Sequence, residues 1–557
     1  MKKNFVRLRW FFTMLLFVTT MIMPTMMLAQ SITPTKPKGD GKAEPYQISN
    51  AAELYWFAGL VNGTLPDGGG KDASANAILT DNITVNEGVL DAVNKGQVSE
   101  SDFIEWKPIG TYDSYDAVYT GTFDGQGHTI SGLYFNHPDA SYVGLFGYIR
   151  ANGKISNVGV SDSYFKFRMK GGGGVCGKND KDGVLQNCSN SSTVIGKNQY
   201  SRTGGVCGDN SGTVRDCKNT GSVSGENFVG GVCGINLGTI KSCYNTGSVH
   251  GTDIYVGGVC GNSYRVTNTN YCYYLSDTAT RGIGNLMADE KDKAEKMFKE
   301  QFESGEMAWL LNGKGSGEQV WGQQLGIDPS PVPGSAYKVI KAAQGDNDTY
   351  WATFSNPTND VTLSVPSDRS LKVYNATVSG GKLTLTQRND QVAKEEGVLL
   401  KTDGEYVNAK ANETNELAKA SSYENHLVAT PAEAKTVTAA AGCKLYRLTY
   451  NKAEKKEGLG FYLGVDDGKS LKATPGKAYL KVSENEAKDP SSAALTRSFV
   501  FGGGSETTGI DEITIMGTDV QRHGTIEGIF DLQGRKIVNP TKGIYIKNNK
   551  KVIIKLK

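Results

Sequence analysis

Eight of the nine cysteines in this 557-residue chain recur at regular spacing. Thiols placed in this way could bind a metal, form disulfides or fill a hydrophobic interior. One series stands in four copies of the line Gly-Gly-Val-Cys-Gly, and the other follows it 10 or 12 residues later. No Cys-x-x-Cys pair occurs and no histidine shares the register, so we expect no zinc or other metal site. The two series are Cys176, Cys207, Cys233 and Cys260, then Cys188, Cys217, Cys243 and Cys272.

An earlier copy of the repeat without cysteine indicates what the thiols do. Phe146 stands 30 residues before Cys176, and Val158 stands 30 residues before Cys188. Cysteine therefore replaces apolar residues, and we expect it to act as a small hydrophobic side chain in a crowded interior. Disulfides stay an alternative for an exported protein, although stacked residues have parallel Cβ vectors that oppose bridging. Cys443, outside the repeats, has no evident partner.

Carboxylates are the second group that could do chemistry. Glycoside hydrolysis needs two of them facing one cleft. The line "FDGQGH" at Phe123–His128 is similar to an early coil of pectin-type enzymes, but we interpret it as a tight glycine turn. We therefore expect no catalytic residues and no cofactor. The acids of the repeats are predicted to stand singly at corners, and they are Asp180, Asp182, Asp209, Asp216, Glu226 and Asp253.

The elements that position these residues follow from the repeat itself. The stretch Gly204–Gly225 returns almost unchanged at Gly230–Gly251. Such a period indicates stacked units, and short apolar strands broken by Gly and Asn predict a parallel β-helix. Equivalent asparagines, Asn210 with Asn236 or Asn219 with Asn245, could hydrogen-bond along the stack. The matched apolar positions are Val206, Val214 and Val223 in one repeat and Val232, Ile240 and Val249 in the next.

The lines "YTGTFDGQGHTISGLYF" from Tyr119, "GLFGYI" from Gly144 and the four "GGVCG" copies resemble the GLUG-motif repeats of bacterial adhesins and some IgA-peptidase-like surface proteins. The resemblance covers about residues 45–275. It implies a right-handed β-helix displayed outside the cell, and it carries over no catalytic residues.

One row of side chains is a candidate binding site. Phe228 and Tyr255 each precede the second glycine of a Gly-Gly pair by three residues, and Arg202 has the equivalent place one coil earlier. The row would lie on a corner of the β-helix. It could be an internal stack that steadies the corner, or it could face outward and offer flat rings beside a cation to a sugar or a partner protein.

The segments before the repeats predict export and a cap. Four basic residues precede the apolar run Trp10–Met23, which indicates a signal peptide cleaved after Ala29. A membrane anchor is the alternative, but the run is shorter than the ~20 residues that a span needs. Asn50 and Glu53 have the form of a capping box, so a short helix should cover the open end of the core. Its apolar face would be Leu54, Phe57, Ala58 and Val61.

The second half of the chain predicts caps and antiparallel sheets. Asp289–Gly313 has the pattern of one or two amphipathic helices with Met297, Phe298, Phe302, Met307, Leu310 and Leu311 as the apolar residues, and Asp328–Gly334 is typical of a linker. Seven strand patterns between Tyr337 and Phe501 predict a β-sandwich. Tyr350 and Trp351 could form a sugar platform there, although core aromatics are the commoner outcome. The last 30 or so residues resemble the C-terminal sorting domain of type IX secretion substrates, with strand pairs around Gly534 and Asn548-Asn549.

The complete expectation is a mainly β protein. It comprises residues 1–29 as signal peptide, 30–44 as linker, 45–285 as β-helix with an N-terminal helical cap, 286–334 as helical cap and linker, 335–501 as β-sandwich-like domain, and 502–557 as linker and sorting-like module. A formal net charge of +2 with scattered signs predicts neither nucleic acid nor anionic membrane as a partner. No apolar run after the signal is long enough to span a membrane.

These features favour an exported, non-catalytic adhesin-like protein at the outer surface of a Gram-negative cell. Its expected partners are a host or environmental glycan or a matrix protein, and outer-membrane secretion machinery. The alternative is a β-helix lyase or glycoside hydrolase whose active site the sequence does not reveal.

Overall fold

The computed structural model describes ten stretches, and beyond residue 501 it describes the backbone of five strands. The stretches are residues 32–96, 102–112, 117–252, 254–264, 268–285, 293–314, 319–345, 348–450, 458–491 and 493–501. The predicted signal peptide lies outside them. The fold is mainly β, with 44% strand and 8% helix. No helix in the described stretches is long and apolar enough to cross a bilayer.

The front half is a parallel β-solenoid of roughly seven turns, as predicted. Four parallel sheets, A to D, run along it, and each coil contributes strands to A, B, C and D in that order. Sheet A contains Tyr46–Ile48, Ala77–Leu79, Thr122–Asp124, Lys154–Ser156, Val184–Gln186, Thr213–Arg215, Thr239–Lys241 and Thr269–Asn270. Sheet B contains Ile83–Thr84, Thr129–Ser131, Gly159–Ser161, Ser189–Asn190, Lys218–Asn219, Tyr244–Asn245, Cys272–Leu275 and Ala294–Met297.

Sheets C and D complete each coil. The two early strands of sheet C are long, and in later coils each is replaced by two short strands, a first limb and a second limb. The long strands are Tyr134–Val143 and Tyr164–Gly172; the first limb is Thr193–Gly196, Val223–Gly225 and Val249–Gly251; the second is Arg202–Gly204, Val229–Gly230 and Val256–Gly257. Sheet D contains Phe146–Ile149, Cys176–Asn179, Cys207–Asn210, Cys233–Asn236, Cys260–Ser263 and Ile283–Asn285.

The cysteines stack inside the solenoid, where the sequence places them. Phe146 pairs with Cys176, and that column continues through the cysteines of sheet D. The second series stacks between sheets A and B, where the amide of Cys188 lies 3.4 Å from the sulfur of Cys217. All eight thiols are fully buried and unbridged. The prediction that they fill the hydrophobic core is confirmed.

Each Gly-Gly-Val-Cys-Gly line has three glycines because no side chain fits at any of them. A Cβ on Gly204 would lie 2.0 Å from the carbonyl oxygen of Cys207. A Cβ on Gly205 would lie 2.3 Å from Cγ of Asn219. The third glycine, such as Gly234, packs against the second limb of sheet C in the preceding coil, with its Cβ position 2.6 Å from the Thr203 amide.

Two ladders of buried amides run along the corners, as predicted. Asn179 donates to Asn210 at 2.8 Å, and Asn210 donates to Asn236 at 2.7 Å. In the other ladder Asn219 accepts from Asn190 at 2.8 Å and donates to Asn245 at 2.7 Å. Because a buried amide without a partner costs free energy, the ladders fix the register of successive coils.

The N-terminal cap has the predicted form. Helix α1, Ala51–Asn62, begins at Asn50, whose side chain accepts from the Glu53 amide, and it ends at Gly63 in the left-handed region. Its buried residues include Leu54, Phe57, Ala58 and Val61, which extend the core of the solenoid. A second short helix, α2, spans Val89–Asn94.

At the far end, the predicted helical segment is partly a strand. Met297 closes the last strand of sheet B and Phe298 is 59% exposed, so the helices begin only at Lys299. Helices α3, Lys299–Glu303, and α4, Glu306–Leu311, pack with Tyr244 and Tyr273 in a separate apolar cluster. The helices therefore cover the outer side of the last coils. Phe302, Met307, Leu310 and Leu311 are buried there, as predicted.

The region after residue 334 is a stack of antiparallel sheets, here called the sheet stack. Sheet E contains Tyr337–Lys341, Tyr406–Ala411, Val361–Ser364 and Gln391–Val392. Sheet F contains Ala343–Gln344, Tyr350–Phe354, Val398–Thr402, Leu371–Ser379 and Lys382–Arg388, with Thr514–Ile515 added in parallel. Sheet G contains Leu427–Ala429, Ala478–Ser483, Cys443–Tyr450, Leu459–Leu463 and Ser498–Val500, and sheet H contains Lys435–Thr438 and Ser470–Ala473.

Three apolar cores separate these four layers. Sheet F is covered on both faces, because alternate residues of Tyr350–Phe354 point into different cores. Trp351 stacks on Phe501 at 4.3 Å between ring centroids, so the core interpretation of this residue is confirmed. Tyr350 is half-buried. A short helical turn, Val465–Gly468, lies in sheet G's last loop region.

A connector and a terminal sheet complete the chain. The predicted linker forms a strand, Val332–Pro333, that pairs with Trp321–Gly322, and the Tyr244 hydroxyl donates to the Pro331 carbonyl at 2.6 Å. The strand pairs predicted around Gly534 and Asn548-Asn549 are present in a four-stranded antiparallel sheet. Its strands are Ile529–Phe530, Lys536–Ile537, Gly543–Lys547 and Lys550–Ile554.

Candidate ligand-binding row on the solenoid

Arg202, Phe228 and Tyr255 form one column on the second limb of sheet C, called here the corner row. The amide of Thr203 donates to the Phe228 carbonyl at 3.0 Å, and the amide of Val229 donates to the Tyr255 carbonyl at 2.9 Å. The three residues are therefore successive rungs of one ladder, as the spacing predicts. Coils in such a stack lie roughly 4.8 Å apart.

The two rings stack face to face at the surface. Their centroids are 4.8 Å apart and their planes differ by 16°. Both side chains are half-buried and neither belongs to the apolar core inside the coils. Phe228 has a φ of 50°, a left-handed conformation that is uncommon outside glycine and turns the ring at the corner. The pair therefore presents ring surface to solvent.

Glycines of sheet D position the row from behind. A Cβ on Gly261 would lie 2.7 Å from the Phe228 carbonyl carbon, and one on Gly284 would lie 2.7 Å from that of Tyr255. Gly234 has the same relation to Arg202. The last glycine of each repeat line lets the backbone of sheet D support the row directly, which fixes the spacing of the side chains.

Arg202 forms an ion pair with Asp209 across the same groove. Asp209 is 1% exposed and lies inside a strand of sheet D, so the prediction that it stands alone at a corner is wrong. The pairing arises because the second limb of sheet C packs on sheet D. Asp182 and Asp216 do lie at left-handed corners, and Asp253 lies outside the described residues.

The groove continues into a tyrosine cluster made of Tyr112, Tyr142 and Tyr148. Their centroids are 5.3 to 5.6 Å apart, and the ammonium of Lys170 lies 4.2 Å from the Tyr112 centroid. Lys178 lies 5.5 Å from the Tyr148 centroid. Burial, followed by the charge of Asp209, raises the pKa of Tyr142 to about 12, so its hydroxyl stays protonated. Tyr148 donates to Asp180 at 2.7 Å.

Together the corner row and the tyrosine cluster form an aromatic strip with cations beside it. The five coils from Tyr142 to Tyr255 span about 19 Å. Tyr112 is 45% exposed, which opens this end of the strip to solvent. Flat apolar rings next to ammonium and guanidinium groups can bind sugar rings or the aromatic side chains of a partner.

Sequence reasoning found the corner row but missed the tyrosine cluster. Tyr142 precedes Gly144 by two residues, just as Phe228 precedes Gly230 by two. The next turn is one residue shorter in the early coil, since Leu145 alone stands where Gly174 and Val175 stand later. Aligning the copies on the residue before the glycine would have revealed the match.

The enzyme-like motif and the acidic cleft are separate features. "FDGQGH" forms a tight turn in which the His128 amide donates to the Gly125 carbonyl at 2.7 Å, as interpreted from the sequence. A cleft of about 530 Å³ near the N-terminal cap is lined by Glu105, His137 and Asp139, and Glu105 pairs with His137. The sequence did not predict that two carboxylates line one cleft. In the described residues, no group of three or more His, Cys, Asp or Glu side chains could hold a metal ion.

No protein-family model matches the sequence, and no solved structure matches it. Halomucin of Haloquadratum walsbyi is 30% identical over 192 residues, which is 34% of this chain and 2% of halomucin. A Gly-rich protein of Evansella cellulosilytica, described by its name as a membrane protein, is 37% identical over 59 residues, 11% of this chain and 6% of that protein. The chain thus spans a small fraction of each relative. A β-solenoid with these similarities fits a repeat surface protein.

Proposed function

We propose that this chain is an exported, non-catalytic, adhesin-like protein whose solenoid presents the corner row to a glycan or matrix protein. The observation that carries the proposal is the half-exposed stack of Phe228 on Tyr255, in register with Arg202 on one corner. Rings in a purely structural position would be expected inside the coils, where the other large apolar side chains lie.

The remaining parts of the molecule support a surface role. Three glycines in each repeat line serve only the close packing of backbone, so the coils form a regular scaffold. The resemblance to GLUG repeats agrees with a displayed β-helix, and the sorting-like end of the chain agrees with export through the outer membrane of a Gram-negative cell. In this account the secretion machinery is the partner of the C-terminal module, and the ligand is the partner of the solenoid.

An array of glycans and extracellular-matrix proteins, probed with the mature chain, tests the proposal. We expect binding to a restricted group of ligands, competed by the soluble form of the same ligand. A thermally unfolded sample is the control, because exposed apolar surface binds without selectivity. No binding above that control would contradict an adhesin-like role.

A polysaccharide-degrading enzyme is the second candidate, and the acidic cleft is the observation that favours it. Glu105 and Asp139 line this cleft, and a glycosidase needs two carboxylates at one site. Release of reducing ends or unsaturated sugars from a polysaccharide panel would establish such activity. Its loss in Glu105→Gln, with Glu87→Gln as a control that keeps activity, would locate the site. Glu87 lies outside the cleft lining.

A further inference from the structure

A second cleft lies in the sheet stack, far in sequence from the corner row. It opens where the edge of sheet F meets sheets G and H, and its volume is about 500 Å³. Strand Tyr350–Phe354 forms one wall and the segment from Leu471 to Tyr479 forms another. A cleft of this size is typical of sites that hold small organic ligands.

The cleft is positively charged. Four cations line it, Lys341, Arg447, Lys472 and Lys477, and none of its described lining residues is acidic. Lys341 is neutralised by Glu405, with 2.7 Å between nitrogen and oxygen. The other three have no carboxylate within ion-pair distance among the residues that the structure describes. The charge of the cleft is therefore open to an anionic ligand.

Lys477 is the best-positioned of these cations. Its carbonyl accepts hydrogen bonds from the Thr430 amide at 3.0 Å and the Thr430 hydroxyl at 2.9 Å. The Ser355 hydroxyl donates to the same carbonyl, and the Lys477 amide donates to Thr430 at 3.1 Å. The base of the side chain is thus held rigidly, as a preorganised binding group should be. Burial lowers the pKa of Lys477, which indicates an ammonium short of both water and counter-charge.

The other groups in the cleft suit a sugar better than a bare ion. Hydroxyls of Thr353, Thr449 and Thr474 line it, and so do the aromatic side chains of Trp351 and Tyr479. Hydroxyl groups can pair with those of a saccharide, and an aromatic face or edge can pack on the apolar side of a sugar ring. An inorganic anion would leave most of this volume and these groups unused.

We propose that the cleft between sheets F, G and H binds an acidic saccharide, a sugar carrying a carboxylate or a sulfate, with Lys477 as the anchoring cation. This site is independent of the corner row and of the ligand proposed for it. It adds a charge-selective binding function to the sheet stack.

NMR titration of the full chain tests the proposal with four probes: galacturonic acid, galactose 6-sulfate, galactose and inorganic sulfate. We expect one or both acidic sugars to bind, and to bind more tightly than galactose or sulfate alone. Comparison of the carboxylate with the sulfate identifies which anion the site prefers. Binding should weaken as salt is raised, because the attraction between charges is screened.

Lys477→Gln should weaken acidic-sugar binding about tenfold or more, because a charge-assisted contact is lost. Lys481→Gln is the matched control, since Lys481 is exposed on the same strand outside the cleft and should bind within about twofold of the parent. The melting temperature of Lys477→Gln should be unchanged or higher, because an unpaired, partly desolvated ammonium is removed. The variant Phe228→Ala with Tyr255→Ala should retain acidic-sugar binding.

Four results would overturn the assignment. They are no binding of either acidic sugar, galactose bound as tightly as its acidic forms, sulfate bound as tightly as galactose 6-sulfate, and unchanged affinity in Lys477→Gln. Loss of acidic-sugar binding in the Phe228 and Tyr255 variant would also overturn it, by placing the ligand on the solenoid.

Discussion

The solenoid and the sheet stack solve the same problem, burying short strands, in different ways. In the solenoid each residue stacks on its own equivalent one coil later, so Cys207 meets Cys176 on one side and Cys233 on the other. In the sheet stack, partners come from distant sequence, as in the pairing of Tyr350–Phe354 with Val398–Thr402. One region repeats a single solution, and the other builds each contact separately.

This difference determines where binding groups can arise. A repeat multiplies any outward position into a row, as with Arg202, Phe228 and Tyr255. Packed layers instead leave clefts at their edges, where unlike residues such as Lys477 and Trp351 converge. The solenoid thus suits extended ligands that contact several coils, and the sheet stack suits compact ligands that fit one cleft.

A charge inside the solenoid should have the largest effect on stability. Val214→Asp places an unpaired carboxylate where the side chain is fully buried between Leu185 and Ile240. We expect a loss of about 5 kcal/mol in the free energy of unfolding, measured by denaturant titration. Thr213→Asp is the control, because the neighbouring side chain is half-buried and points the other way. A Val214→Asp protein as stable as the parent would mean that this column does not face inward.

Alkaline pH should destabilise the solenoid before the sheet stack. Burial raises the pKa of Cys188, Cys217 and Cys243. A folded pKa above the unfolded value of about 8.5 means that stability is complete below that pH and falls as pH rises past it. At pH 9.5 each thiol should remove about 1.4 kcal/mol, or about 4 kcal/mol for the three. The sheet stack contains just Cys443.

Hydrogen exchange at pH 8 and pH 9.5 can follow the two regions separately, after correction for the intrinsic rates. Alkylation of the unfolded chain without reductant is the companion measurement, and it should label most of the nine cysteines. Labelling of one or none would show bridged coils and remove the basis of the pH effect.

A single methyl group should separate the two kinds of packing. Gly234→Ala puts a Cβ 2.6 Å from the Thr203 amide nitrogen and 2.7 Å from the Arg202 carbonyl carbon, so backbone must move. We expect a loss of about 3 kcal/mol in thermal unfolding. Gly458→Ala in the sheet stack has its nearest neighbour at 3.5 Å and should change stability by less than about 1 kcal/mol. Equal effects would contradict the close approach of sheets C and D.

The amide ladder should show cooperativity that the sheet stack lacks. Asn219→Ala removes one hydrogen bond to Asn190 and one to Asn245, at a cost of about 2 kcal/mol. Adding Asn190→Ala should cost less than the sum of the single changes, because the first change has already broken their bond. Asn425→Ala in the sheet stack should add to Asn190→Ala without coupling. Strict additivity of the two solenoid changes would argue against a ladder.

The sequence was informative where the structure repeats. Phe146 could be matched to Cys176 because one period separates them, and the same register placed Phe228 above Arg202. The ion pair of Arg202 with Asp209 was missed, since it depends on sheet C packing on sheet D rather than on the period. Met297 was assigned to a helix because its apolar spacing fits one, but pairing with Leu275 holds it in a strand.

In the sheet stack, individual strands were predictable and their arrangement was not. All seven strand patterns between Tyr337 and Phe501 correspond to strands of the structure. Which core each face enters depends on the order of strands in the sheet, so Trp351 and Phe354 could not be assigned to their separate cores. The cleft around Lys477 combines three sheets and has no local signature in the sequence.

The central claim is that the interior of the solenoid provides stability while the corner row provides binding. The double variant Phe228→Ala with Tyr255→Ala tests it, measured for ligand affinity and for melting temperature beside the exposed control Tyr200→Ala with Tyr264→Ala. We predict an affinity loss of about tenfold or more for the array-identified ligand, with a melting temperature close to that of the control. A lower melting temperature with unchanged affinity would show that the row only steadies the corner, and would contradict the account.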